Sequence, residues 1–116
     1  MRYTIDSTAN EPIMLINTHI GMDSEDGMGV DGAEFQRELL ELDSLNKDKI
    51  HIWINSVGGV IMDGYNIISA ILNTKTPIYT HNVGIAASIA GVIFACGEKR
   101  KSMDYALFMT HPPQGG

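Results

Sequence analysis

Two rhythms of apolar and polar positions run along the chain and predict its elements. Pro12 to Ile20 reads as a strand, with Ile13, Leu15 and Ile16 apolar and Thr18 β-branched. Lys49 to Asn55 places Ile50, Ile52 and Ile54 on one face, with His51 and Trp53 on the other. Pro77 to Val83 and Tyr105 to Thr110 read as two further strands. Between them the period lengthens to that of a helix. Asp31 can cap a helix, with Glu34 three residues on as in a capping box, and Phe35, Leu39 and Leu42 recur at i, i+4, i+7 while Leu40 widens the face. A second helix is expected from Val60 to about Asn73, with Ile61, Ile68, Ile71 and Leu72 apolar, and a third, of small residues, from about Ser88 to Ala95. Met1 to Glu11 is polar and reads as a flexible leader; Gly21 to Val30 reads as a loop, and Gly97 to Ser102 as a turn.

The resulting order, β-α-β-α-β-α-β, implies an α/β domain over residues 12–116, a largely parallel sheet with covering helices. In such sheets the ligand site lies beyond the C-terminal strand ends. Three unusual segments converge there: Ser56-Val57-Gly58-Gly59, Gly84 to Ser88, and His111.

Composition narrows the function classes. In 116 residues, 14 acids against 8 bases give a formal charge of -6. That balance argues against nucleic acid and anionic membrane as partners, since both select clustered Lys and Arg. No apolar run reaches the length of about 18 residues that a membrane span needs. A single cysteine, Cys96, excludes an internal disulfide framework and fits a reducing, cytoplasmic setting. The four histidines lack close metal-ligand spacing, so no metal is expected.

Ser88 is the first candidate for chemistry. At the mouth of a helix its hydroxyl lies near free N–H groups and the positive helix end, a setting that suits a developing oxyanion. Ala86, Ala87, Ala90 and Gly91 are small enough for a peptide backbone to approach. The same position suits an ordinary serine N-cap. His111 ends a strand and precedes Pro112, which favours an extended backbone there. It reads as a general base or as a surface histidine. Gly58-Gly59 reads either as a tight strand-to-helix turn or as a donor loop forming half of an oxyanion hole, with the Ile89 N–H as the other half. Trp53 reads as core or interface, Cys96 as a buried thiol, and the acids Asp23, Glu25 and Asp26 are too irregular for a calcium loop.

Three of these segments together resemble one family. Ile54-Asn55-Ser56-Val57-Gly58-Gly59 resembles I-N-S-P-G-G, Gly84-Ile85-Ala86-Ala87-Ser88 resembles G-x-A-A-S, and Met109 to Gly116 resembles M-x-H-x-P-x-G-G. These are the segments of the ClpP-type serine peptidases, which include ClpP-related proteases of phage head maturation. The resemblance implies the ClpP/crotonase-like spiral of β-β-α units. It makes Ser88 the nucleophile and His111 its base, with the Gly59 and Ile89 N–H groups as oxyanion hole. An extended polypeptide substrate would lie between Gly58, Val60 and Ile61 on one side and Gln114 on the other. It further implies a homo-oligomeric ring, heptameric or of stacked heptamers, fed by an ATPase unfoldase, with no cofactor.

Val57 stands where the family has proline, and Pro112 removes an N–H after the base. The family's third catalytic residue, an Asp, lies beyond its histidine at a position the sequence up to Gly116 does not include; neither Asp63 nor Asp104 is assigned that role. Two other readings compete: a catalytically incomplete structural or regulatory ring subunit, and a crotonase-type acyl-CoA enzyme using oxyanion donors without a serine nucleophile.

Overall fold

The computed structural model describes residues 1–22 and 28–109. The chain forms β1 (Thr4–Ile5), β2 (Ile13–Ile16), α1 (Gly32–Asp43), β3 (Ile50–Ser56), α2 (Ile61–Asn73), β4 (Ile78–Ala87), α3 (Ile89–Ala95), β5 (Lys99–Ser102) and β6 (Leu107–Met109). One six-stranded sheet runs β1-β2-β3-β4-β5, and β6 also pairs with β4. Among the described strands, only the β1–β2 pair is antiparallel; every other pair is parallel. The expected α/β architecture with a mostly parallel sheet and covering helices is present.

Strands β2 to β5 are added in sequence order. Right-handed crossovers in one direction place their helices on one side of the sheet. Accordingly a single core gathers Met14, Ile16, Ile50, Ile52 and Ile54 from the sheet with Phe35, Leu39 and Leu42 of α1, Ile67 and Ile71 of α2, and Ile89 and Ile93 of α3. Each fully buried isoleucine contributes about 1.5–3 kcal/mol, so the isoleucine face of β3 anchors the domain.

Several expectations shift in detail. Residues 4–5, placed in the leader by pattern, form β1, because Tyr3 is buried and the Glu38 carboxylate gathers the leader's donors. It accepts from the backbone N–H groups of Arg2 (2.7 Å) and Tyr3 (2.9 Å) and from the Thr4 hydroxyl (2.9 Å). The Tyr3 hydroxyl in turn accepts from the Asp31 N–H at 2.8 Å. The expected turn over 97–102 contains β5, an all-polar exposed edge strand that hydrophobic periodicity cannot reveal. Strand β4 runs on to Ala87 instead of ending at Val83. Helix α1 buries Phe35, Leu39 and Leu42 as expected, and Asp31 caps it by accepting from the Ala33 and Glu34 N–H groups, but Leu40 is exposed. Helix α2 buries Gly64, Ile67, Ala70 and Ile71, while Ile61 and Leu72 face outward. The closeness of its neighbours sets that rotation. Asp63 backbone lies against Gly32 of α1, and the Ile89 side chain fills the space a Gly64 Cβ would take.

The other sheet face carries His51, Trp53, Tyr79 and His81. The Glu11 carboxylate only accepts, so the His51 Nε2 at 2.8 Å bears a proton, and His51 Nδ1 shares a hydrogen bond with His81 Nε2 at 2.8 Å. Lys49 sits over the Tyr79 ring at 4.7 Å. Burial, the neighbouring His51 and Lys101 hold the His81 imidazole below its ordinary pKa.

Two outcomes follow. Glu38→Ala leaves buried N–H donors without their acceptor and should lower the unfolding free energy by about 1–3 kcal/mol. Urea titration measures it, with faster amide exchange at Arg2 and Tyr3, whose N–H groups donate to Glu38; unchanged exchange there would contradict the role given to Glu38. The second concerns pH. A histidine whose folded pKa is depressed contributes stability that is present above about pH 6.5, its unfolded value, and is lost as pH falls through the folded value. The thermal midpoint should therefore drop between pH 7.5 and 5, and His81→Gln should flatten that slope; equal slopes in the two proteins would refute it.

Candidate active site

The C-terminal ends of β2, β3 and β4 meet where the sequence places its three unusual segments. After β3 the chain turns through Gly58 (φ 98°) and Gly59 (φ 152°), both in the region that favours glycine. The Gly58 N–H donates to the Ser56 hydroxyl at 3.1 Å, which pins the turn. Ile20 clasps it from the other side: its N–H donates to the Gly58 carbonyl, and its own carbonyl accepts from the Val60 N–H, both at 2.9 Å. A Cβ on Gly59 would collide with the Ile20 carbonyl oxygen. A Cβ on Gly58 would stand 2.8 Å from the Ala87 oxygen, 2.9 Å from the Ser88 Cβ and 3.4 Å from the Ile89 nitrogen. The structure thus brings Gly58, Ser88 and the Ile89 N–H together, through backbone contact alone.

Ser88 lies between β4 and α3 with φ 55° and ψ -130°. A serine there is strained by roughly 1–3 kcal/mol, and such strain clusters at functional sites. Its hydroxyl makes no cap hydrogen bond, so the N-cap alternative fails on geometry. Its N–H donates to the Met109 carbonyl at 2.7 Å, and its carbonyl accepts from Gly91 N–H at 2.9 Å. A sharp, strained strand-to-helix turn of this kind can hold a serine hydroxyl exposed at the end of a sheet. Beside it opens an apolar cavity of about 230 Å³ lined by Ala86, Ser88, Gly91, Val92, Ala95, Phe108 and Met109. Such a hollow can take an apolar side chain.

Val60 and Ile61 are exposed next to the glycine turn, together with Val57 and Met62. The Ile89 side chain is buried against α2, leaving its backbone at the turn. His111 and Gln114 lie outside the described residues, as do the acids Asp23, Glu25 and Asp26. Of the other histidines, His51 and His81 belong to the sheet face described above, and His19 packs against Gly29. Cys96 is half-buried and burial raises its thiol pKa, which suits an unreactive thiol. Among the described residues, no group of three or more His, Cys, Asp or Glu is arranged to hold a metal ion, and no helix is long and apolar enough to cross a membrane.

Sequence reasoning missed two asparagines. The β3–β4 register is regular to Ile54↔Asn82 and resumes at Ser56↔Ala86, so β4 carries two extra residues there. The Asn55 side-chain oxygen accepts from Ile85 N–H (3.1 Å), and the Asn82 side-chain oxygen from Gly84 N–H (3.2 Å). Both side chains thus occupy backbone donors in the irregular stretch. Asparagine inside a strand is itself the available signal, since strands are depleted in it.

With this geometry in view, comparison with known proteins is informative. Residues 9–116 match the family described as Clp protease. The "ATP-dependent Clp protease proteolytic subunit 1" of Prochlorococcus marinus (strain MIT 9312) is 39% identical over 82 residues, 68% of this chain and 42% of that protein. The "ATP-dependent Clp protease proteolytic subunit 2" of Synechococcus sp. (strain CC9605) is 36% identical over 83 residues, 70% of this chain and 42% of its own length. The crystal structure of the ClpP protease catalytic domain from Plasmodium falciparum superposes with a TM-score of 0.74 at 35% identity, over 87% of this chain and 54% of that one. The aligned part thus spans less than half the length of these curated relatives. Sequence and backbone lead to the same assignment: this chain belongs to the Clp protease family.

Proposed function

We propose that the chain is a ClpP-like serine endopeptidase that cleaves extended or unfolded polypeptides through a Ser nucleophile and a His base. The observation behind this reading is Ser88, held at positive φ with an uncommitted hydroxyl and Gly58 packed against it. Ser88 Oγ attacks the scissile carbonyl while His111 accepts its proton. The Gly59 and Ile89 N–H groups stabilise the oxyanion of the tetrahedral intermediate. On its collapse His111 returns the proton to the leaving amine, and water then hydrolyses the ester on Ser88 by the same steps in reverse roles.

Substrate lies extended beside Gly58, Val60 and Ile61, with Gln114 opposite, and an apolar side chain enters the cavity beside Val92 and Phe108. The exposed Val57, Val60, Ile61 and Met62 suit such a track. Relatives named as proteolytic subunits of ATP-dependent proteases support two further parts of the reading: a homo-oligomeric ring and an ATPase that delivers unfolded chain.

The test is intact mass of the full native chain after treatment with a fluorophosphonate. One adduct is expected on the unsubstituted protein and none on Ser88→Ala. His111→Ala should slow labelling by about 10²–10⁴-fold, the usual contribution of a positioned base. An adduct that survives Ser88→Ala, or an unsubstituted protein that takes none, overturns the assignment.

A further inference from the structure

β6 is three residues long and exposed throughout. A strand that short has little stability of its own. Yet its Met109 carbonyl receives the Ser88 N–H, and Phe108 and Met109 wall the cavity beside Ser88. What holds β6 in register therefore sets the backbone of Ser88 and the shape of the hollow next to it.

Three contacts hold it. Leu107 to Met109 pair with Ile85 to Ala87 of β4. Phe108 packs on Phe94 with ring centroids 5.0 Å apart and the rings tilted by 53°. The third contact comes from a polar side chain inside the sheet: Asn82 is fully buried, and its Nδ2 donates to the Leu107 carbonyl at 2.9 Å. The same side chain accepts from Gly84 N–H, and the Asn82 backbone carbonyl accepts from Met103 N–H at 3.0 Å. One residue thus grips the irregular stretch of β4 that leads to Ser88 and both ends of the β5–β6 connection.

A leucine would fill this position without the desolvation cost of an amide. Strand β4 meets its other inward positions with Ile78, Thr80 and Ala86. We propose that Asn82 is a positioning residue for the Ser88 chemistry, its buried amide fixing the register of β6 against β4 and thereby the Ser88 turn and the cavity wall. The role rests on the peptidase reading above.

The experiment compares fluorophosphonate labelling rates of Ser88, across pH, in the full native chain and three variants. Asn82→Leu removes both side-chain bonds. Asn82→Asp, when ionised, keeps an acceptor for Gly84 N–H but has no donor for the Leu107 carbonyl. Thr76→Val is the control: it breaks the hydrogen bond of the buried Thr76 hydroxyl to Asp43 (2.6 Å) at the far end of β4, away from β6.

At least tenfold slower labelling is expected for both Asn82 variants, with a displaced pH midpoint, while Thr76→Val labels within twofold of the unsubstituted chain. Thermal midpoints for Asn82→Leu and Thr76→Val should fall by similar amounts. Labelling of Asn82→Leu within twofold of the unsubstituted chain overturns the proposal and leaves the peptidase reading standing. So does slowing that follows loss of thermal stability equally in Asn82→Leu and Thr76→Val. No labelling of the unsubstituted chain overturns the peptidase reading itself, and this role with it.

Discussion

Everything at the strand ends depends on the absence of two side chains. Gly58 and Gly59 let three backbones close to contact distance: the segment after β2 at Ile20, the turn after β3, and the turn after β4 at Ser88. Any Cβ at either position meets a carbonyl oxygen within a distance that real Cβ atoms do not tolerate. The site is thus assembled by main chain. In the proposed function its donors are peptide N–H groups whose direction is set by φ and ψ, and such donors need no reorganisation when charge develops in front of them.

The remainder of the fold keeps those backbones where they are. Strand β4 is the structural axis. One edge is taken by β3, while the other is divided between β5 in its first half and β6 in its second. The division coincides with the irregular stretch after Asn82, where β4 gains two residues relative to β3. Beneath it, helices on one side of the sheet seal an isoleucine-rich core, and Gly32 and Gly64 allow α1, α2 and α3 to pack near van der Waals limits. The rigid layer is therefore directly under the Ser88 turn.

Much of this was legible in the residues. The alternation of Ile50, Ile52 and Ile54, the Phe35–Leu39–Leu42 period and the cap at Asp31 each report a local physical preference, and each element formed. The convergence of Gly58 and Ser88 followed from parallel topology. Elements stabilised by polar tertiary contacts were not legible. β1 exists because a buried Glu38, thirty-odd residues away, collects its donors. β5 is all polar and has no apolar period to read. In α2, Ile71 is buried and Ile68 packs on the core while Ile61 and Leu72 face outward, because glycine contacts with α1 and α3 help set its rotation. At the site, the resemblance pointed to the serine and the glycine turn, whereas the asparagines that hold the irregular strand carry no periodic signature.

The dihedral angles of Ser88 set two demands on that residue against each other. Glycine would adopt φ 55° and ψ -130° without the steric cost a Cβ brings, so the mutation that relaxes this turn is the one that deletes its hydroxyl. Random stabilising change, whether by drift or in a directed screen scored on melting temperature, is thus drawn toward glycine at this position. Under the proposed function, position 88 is where thermostability and chemistry trade against one another, and a library selected for the first alone is drawn to lose the second there.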